Sequence, residues 1–472
     1  MIFHSFVFIV FCIVVFLIYH LALHQHTKAQ NIFLLIASYF FYGYADWRML
    51  PILIGATVVY YLLGIGIEKS NDKCATLLKT IGVILALALL GYFKYFNFFV
   101  DSFVTLLNLL GMQVHWHTIQ VIMPLGISFF TFRLLSYILE IDRRHIAASR
   151  NVIPFALYVA FFPCLLAGPI DRPNTFLPQL EKKRAFNYDL SVDGIRQVLW
   201  GLFKKVVIAD NLSIYVDTVW NNTVDLVPQS ASTLLLAMVL YLFQLYADFS
   251  GYSDMAIGIA KLLGIRLADN FRAPLFALNI ADYWKRWHIS LTTWLTDYVF
   301  IPLNLKCRDL GKWGLAISIV VTFAMSGLWH GADWTYVLWG VYHGLLYIPL
   351  ICRGTFYKKT KLKTNPYGLP VFRDFCRIVL TNILVMLGLL LFRAPSLIDC
   401  WHFIASLCDS SILSLPLVEN VPHLLVVCAA ICVMLLMEWK NRLPNRWWMY
   451  YALTLAIWWF AGQDIDFIYF QF

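Results

Sequence analysis

The chain has 472 residues, 61% of them hydrophobic and only 13% charged, and its mean hydropathy is +0.71. Soluble domains average about 25% charged residues, so this chain cannot cover a water-facing surface of its length and needs a bilayer as solvent for much of it. The net charge of +9 would raise nucleic acid as a partner in a soluble protein. Here the basic residues stand in short clusters between apolar runs, the pattern of cytoplasmic loops, and no nucleic-acid partner is expected.

A membrane-spanning helix needs roughly 20 largely apolar residues. Taken in order, the predicted spans are 2–23, 32–44, 50–67, 80–100, 121–139, 152–166, 195–208, 234–247, 313–328, 334–350, 378–392, 423–437 and 447–460. The first is apolar but lacks a basic leading region and a small-residue cleavage site, and reads as a retained helix. Several runs are short, which suits tilted or re-entrant helices covered by neighbours. The expectation is an all-α polytopic membrane protein with about 10–13 embedded helices, organised as a single domain over 1–472. Basic clusters at 69–79, 142–150, 182–184, 353–363 and 440–446 are assigned to the cytoplasmic side, which places both termini outside the cytoplasm. Trp and Tyr, 17 and 25 in number, suit the membrane–water interface. The ten Cys are scattered without a CxxC pair and read as small hydrophobes.

Two stretches break the apolar pattern. The first is Tyr246-Ala-Asp-Phe-Ser-Gly-Tyr-Ser-Asp254, continuing at Asp282-Tyr-Trp-Lys-Arg-Trp-His-Ile-Ser290. The second is Ser326-Gly-Leu-Trp-His-Gly-Ala-Asp-Trp334, followed by Trp339-Gly-Val-Tyr-His-Gly344. Ionisable groups at membrane depth are costly and persist where they pair or face a cavity or active site. Asp248, Asp254, Asp282, Lys285, Arg286, His288, His330, Asp333 and His343 all fall here. Glycines beside His330 and His343 allow close packing and ligand approach. There is no GxSxG elbow, no Walker loop and no HExxH pair. His330 and His343, thirteen residues apart, would point to different sides of one continuous helix, so no shared metal and no bound cofactor is expected.

Histidine is the side chain best matched to proton transfer near neutral pH. One of these imidazoles could take the proton of an alcohol that attacks a thioester carbonyl. A histidine in an apolar run is also a common hydrogen-bonding core residue, and the residues alone leave both roles open for His330, His288 and His343. Trp284, Trp287, Trp329, Asp248 and Asp282 are candidates for lining the same cavity. The carboxylates could instead cap helices or pair with Lys285, Arg286 or Arg272, as buried carboxylates do.

The segments Asp248-Phe-Ser-Gly-Tyr-Ser-Asp-Met-Ala-Ile-Gly258, Trp284-Lys-Arg-Trp-His-Ile-Ser290 and Gly327-Leu-Trp-His-Gly-Ala332 together resemble the signature of the membrane-bound O-acyltransferase (MBOAT) family, closest to its bacterial alginate O-acetylase branch. Further matches are Phe40-Phe-Tyr-Gly43, Phe161-Phe-Pro163, Ala167-Gly-Pro-Ile170 and Phe467-Ile-Tyr-Phe-Gln-Phe472, so the likeness covers almost the whole chain. The resemblance implies a ring of tilted helices around a central funnel, with the family's membrane-buried histidine at His330 and its second functional position at His288. It implies acyl transfer, of acetyl in this branch, from a cytoplasmic thioester (acetyl-CoA or an acylated carrier protein) to hydroxyls of an exported polysaccharide. An extracytoplasmic acetyltransferase or accessory partner in the bacterial inner membrane system is implied as well. The related D-alanyl transfer branch and a non-catalytic transporter are the competing readings. The chain departs from the branch after Ile301-Pro-Leu303, where Asn304-Leu-Lys-Cys-Arg-Asp309 replaces a Gly-Gly-Asn-Arg-like turn.

Overall fold

The computed structural model describes residues 3–468 apart from 25, 115, 117–120, 226, 228, 359, 441–442, 463–464 and 466. The last four residues of the terminal aromatic motif, and part of the basic cluster at 440–446, lie outside the described residues. The all-α reading holds: among the described residues there is no strand, only one isolated bridge between Thr364 and Pro370. Seven helical stretches among them are long and apolar enough to cross a bilayer.

The boundaries shift where polar residues are absorbed. The span expected at 234–247 is one helix, Ala231–Leu262, of 32 residues. The span expected at 195–208 sits within Tyr188–Leu202, a π-helical stretch Phe203–Ala209 and Asp210–Val224. The helix expected from 121 starts at Ile127, after Gly126 with φ of 69°. A glycine takes that left-handed conformation without a Cβ penalty, and Pro124 shortly before it cannot extend the helix backwards.

The chain forms two compact units. The first comprises 1–198 and 255–268. Its centre is Ile127–Asp142, a helix buried along nearly its whole length. Arg133 is fully buried there and donates to the carbonyls of Tyr158 (3.0 Å), Val159 (3.3 Å) and Cys164 (2.9 Å). A guanidinium carries five donors, and main-chain oxygens that no helix uses are partners for them. Arg184 belongs to a cluster assigned to the cytoplasmic surface, yet it is buried, bonded to the Tyr19 hydroxyl at 2.7 Å and to Asn31. Charge pattern marks the side of the membrane, but only packing decides which member of a cluster turns inward. Asp171, in a loop beyond the spans, accepts from the Ala268 N–H at 3.0 Å. Burial pushes its carboxyl up to about 6, with Arg133 and that N–H pulling the other way.

The second unit comprises 199–254 and 269–472. The polar stretch 246–254 survives inside a helix because its charges are matched across a neighbouring turn. Lys205 pairs with Asp248 at 2.7 Å and Asp210 at 2.8 Å, and Lys204 pairs with Asp254 at 2.5 Å. The Tyr246 hydroxyl donates to Glu438, and Asp248 also accepts from the Ile468 N–H at 2.9 Å. Gly251 admits the close approach: a Cβ there would stand 2.8 Å from the Gly201 carbonyl oxygen.

Candidate active site

Two helices of the second unit, Gly311–His330 and Trp334–Leu345, form an antiparallel hairpin. Three glycines set their separation. Gly327 faces the Tyr336 carbonyl, Gly340 faces the Phe323 carbonyl and Gly344 faces Val320, with no room for a Cβ at any of them. Backbones in membranes approach this closely through small residues. His330 ends the first helix, and Gly331 continues in extended conformation. Asp333 caps the second by accepting from the Thr335 N–H at 2.8 Å.

His330 is therefore fixed at a tight turn and not partway along one long helix. Its ring lies 5.2 Å from Trp339, 4.9 Å from Trp329 and 5.4 Å from Phe392. His288 comes from a different part of the chain and adopts φ 44° and ψ 52° at the start of helix Ile289–Leu295. Left-handed backbone costs a non-glycine residue roughly 1 kcal/mol, and such outliers gather at functional sites. The turn brings its ring within 6.3 Å of His330, centroid to centroid, and 5.9 Å of Trp329. Two histidines 42 positions apart in sequence thus share one aromatic-walled site. Residues 40–390 match the membrane-bound O-acyltransferase family. The chain belongs to that family.

Its relatives agree on the chemistry. It is 38% identical over 402 residues to a probable alginate O-acetylase of Pseudomonas syringae, covering 84% of this chain and 73% of that protein. It is 35% identical over 343 residues to a peptidoglycan O-acetyltransferase of Helicobacter pylori, covering 67% and 63%. A teichoic acid D-alanyltransferase of Bacillus subtilis is more distant, at 30% over 261 residues, covering 53% and 63%. This multi-pass membrane protein is an O-acyltransferase.

The remaining candidates of this acyltransferase divide into groups. His343 packs between Trp284 (5.1 Å) and Trp339 (5.0 Å), so Trp339 touches both His343 and His330. Trp287 stacks on Tyr283 at 5.6 Å and meets Phe271 at 5.1 Å, in an aromatic cluster that reaches His288 through Phe249. Asp248 is held by Lys205, a partner absent from the expected set. Asp282 pairs with Arg286 at 3.0 Å, as one expectation had it, and accepts from the Leu278 N–H.

Sequence reasoning missed Asn270. It sits 18 residues before His288, with no motif to mark it. Its side-chain oxygen stands 3.0 Å from His288 Nδ1 and accepts from Ser290 Oγ at 2.9 Å, while its amide nitrogen donates to Ser253 Oγ at 3.1 Å. Phe392 and Phe249 were missed as wall residues for the same reason: apolar side chains on helices look alike until they are packed. Burial pushes the His288 imidazole down to about 3, so it is neutral near pH 7. His330 keeps 5% of its surface exposed and His288 1%.

Proposed function

We propose that this protein transfers an acetyl group from a cytoplasmic thioester toward hydroxyls of an exported, alginate-like cell-surface polysaccharide, with His330 as general base and His288 assisting. The observation that carries the reading is the convergence of the two imidazoles at 6.3 Å in a glycine-packed, aromatic-walled site. The identity to probable alginate O-acetylases over most of the chain supports the choice of substrate.

In this mechanism His330 takes the proton of the attacking hydroxyl, and the oxygen forms a bond to the thioester carbonyl carbon. The C–S bond then breaks, and the proton leaves with the thiol. A positioned base supplies about 10²–10⁴-fold, or roughly 3–5 kcal/mol. The water-poor surroundings strengthen every polar interaction with the developing oxyanion. The donor is acetyl-CoA or an acylated carrier protein, and an extracytoplasmic acetyltransferase or accessory protein assists delivery to the polymer. The chain resides in the bacterial inner membrane with both termini outside the cytoplasm. Trp284, Trp287, Trp329 and His343 shape the substrate path.

The test uses cells lacking the native protein, complemented with the wild type, His330→Ala or His288→Gln at matched membrane levels. Polysaccharide is analysed for ester-linked acetate. Loss of acetate with His330→Ala is expected; wild-type acetate content in a well-expressed His330→Ala strain refutes the base assignment. Accumulation of D-alanyl esters in place of acetate would move the substrate assignment to the D-alanyl branch.

A further inference from the structure

We infer that Asn270 is a positioning residue that selects the Nδ1–H tautomer of His288 and so leaves Nε2 as the lone-pair nitrogen of that ring. This rests on the reading of His288 as a participant in acyl transfer.

Which end of the Asn270 amide is oxygen follows from its neighbours. The Ser290 backbone N–H, which can only donate, points at that end from 3.4 Å, and the Ser290 hydroxyl donates to it from 2.9 Å. An amide nitrogen there would face donors with donors. The end is therefore oxygen, and the other end donates to Ser253. His288 Nδ1, 3.0 Å from the same oxygen, must then carry the hydrogen. A neutral imidazole has one N–H, so Nε2 is the acceptor. The fix is reinforced through the main chain, where the Ile289 N–H donates to the Asn270 carbonyl at 2.9 Å and the Arg272 N–H to the Arg286 carbonyl at 3.0 Å. Asn270 is 1% exposed, so water does not compete for the oxygen.

The tautomer decides chemistry. An Nε2 lone pair can accept a hydrogen bond from an approaching hydroxyl or thiol, and a ring in the opposite tautomer offers that substrate a donor. A neutral amide, in place of a carboxylate, also orients the imidazole without favouring its protonation. Among the described residues, the His288 ring meets His330, Phe249 and Trp329.

Two measurements test this on the full-length protein in lipid nanodiscs, with Asn270→Leu and Asn270→Asp. Nitrogen-15 spectra of histidine-labelled protein, assigned by difference from His288→Gln, report the tautomer. The wild type is expected to show Nδ1–H, and Asn270→Leu to lose that preference. Acetyl transfer is followed against pH: Asn270→Leu should lower kcat about 10–100-fold with donor KM changed less than about threefold. Asn270→Asp should raise the acidic limb of the kcat profile by at least about one pH unit, since a carboxylate stabilises imidazolium. A purely structural asparagine would lower protein yield without moving the limb. An Nε2–H wild-type spectrum, or a tautomer and pH profile unchanged in both variants, overturns the inference while His288 remains essential. Full activity in His288→Gln would instead overturn the underlying reading.

Discussion

The separation of the Gly311–His330 and Trp334–Leu345 helices is the most sensitive dimension of the site, and Gly340→Ala probes it. A Cβ at Gly340 would stand 2.7 Å from the Phe323 carbonyl carbon and 3.0 Å from Ala324 Cα, with the Phe323 carbonyl oxygen closer still. Carbon atoms rest at about 3.5–4.0 Å, and backbone cannot rotate away as a side chain can. The hairpin must therefore open by roughly 1 Å. Overpacking of this kind costs about 1–3 kcal/mol, which a membrane protein of this size tolerates. The catalytic effect is larger, because Trp339, next to Gly340, holds His330 at 5.2 Å and His343 at 5.0 Å. A displacement of about 1 Å costs on the order of 100-fold in rate. Acetyl transfer per mole of folded protein in proteoliposomes should fall by that factor while thermal stability drops only modestly. Gly55→Ala is the matched control, since nothing lies within 4 Å of its Cβ. Gly340→Ala activity within about threefold of wild type would show that the hairpin spacing does not position the imidazole.

Three further outcomes are expected. Asp171 has a folded value near 6, above its ordinary 3.8, so the folded protein binds this proton more tightly than the unfolded chain. Its charge costs about 3 kcal/mol above pH 6, a cost that disappears as pH falls toward 4. Asp171→Asn should therefore gain stability over wild type at pH 7, keep about half of that advantage at pH 5 and lose most of it near pH 4; a Tm difference that does not change with pH would contradict the assignment. Lys205→Met strands Asp248 and Asp210 in a buried setting, at about 3–5 kcal/mol, and should remove the protein from membranes. Asp248→Asn added to Lys205→Met should restore part of the membrane level, and a single variant that accumulates normally would argue against a structural charge network. Gly388→Ala places a Cβ 2.6 Å from His343 Nε2, so its destabilisation should shrink when combined with His343→Ala. Additive effects in that double-mutant cycle would mean the two positions are not in contact in the working protein.

The sequence alone determined the solvent, the helical class and the family, and it marked the two histidines as candidates. Each of those rests on information carried locally: hydropathy over a window of residues, and short motifs whose order survives in the chain. The left-handed turn at His288, the tight hairpin behind His330 and the approach of their rings to 6.3 Å were decided by tertiary packing. So were the choice of Lys205 as partner for Asp248, the inward turn of Arg184 and the hydrogen bonds of Asn270 to Ser253, His288 and Ser290. All of these depend on contacts between residues far apart in sequence, where a polar side chain in an apolar run looks the same whether it will meet a lysine, a backbone carbonyl or an imidazole. In lipid an unsatisfied polar group is costly, which favours a partner for each; only the packed helices specify which one it is.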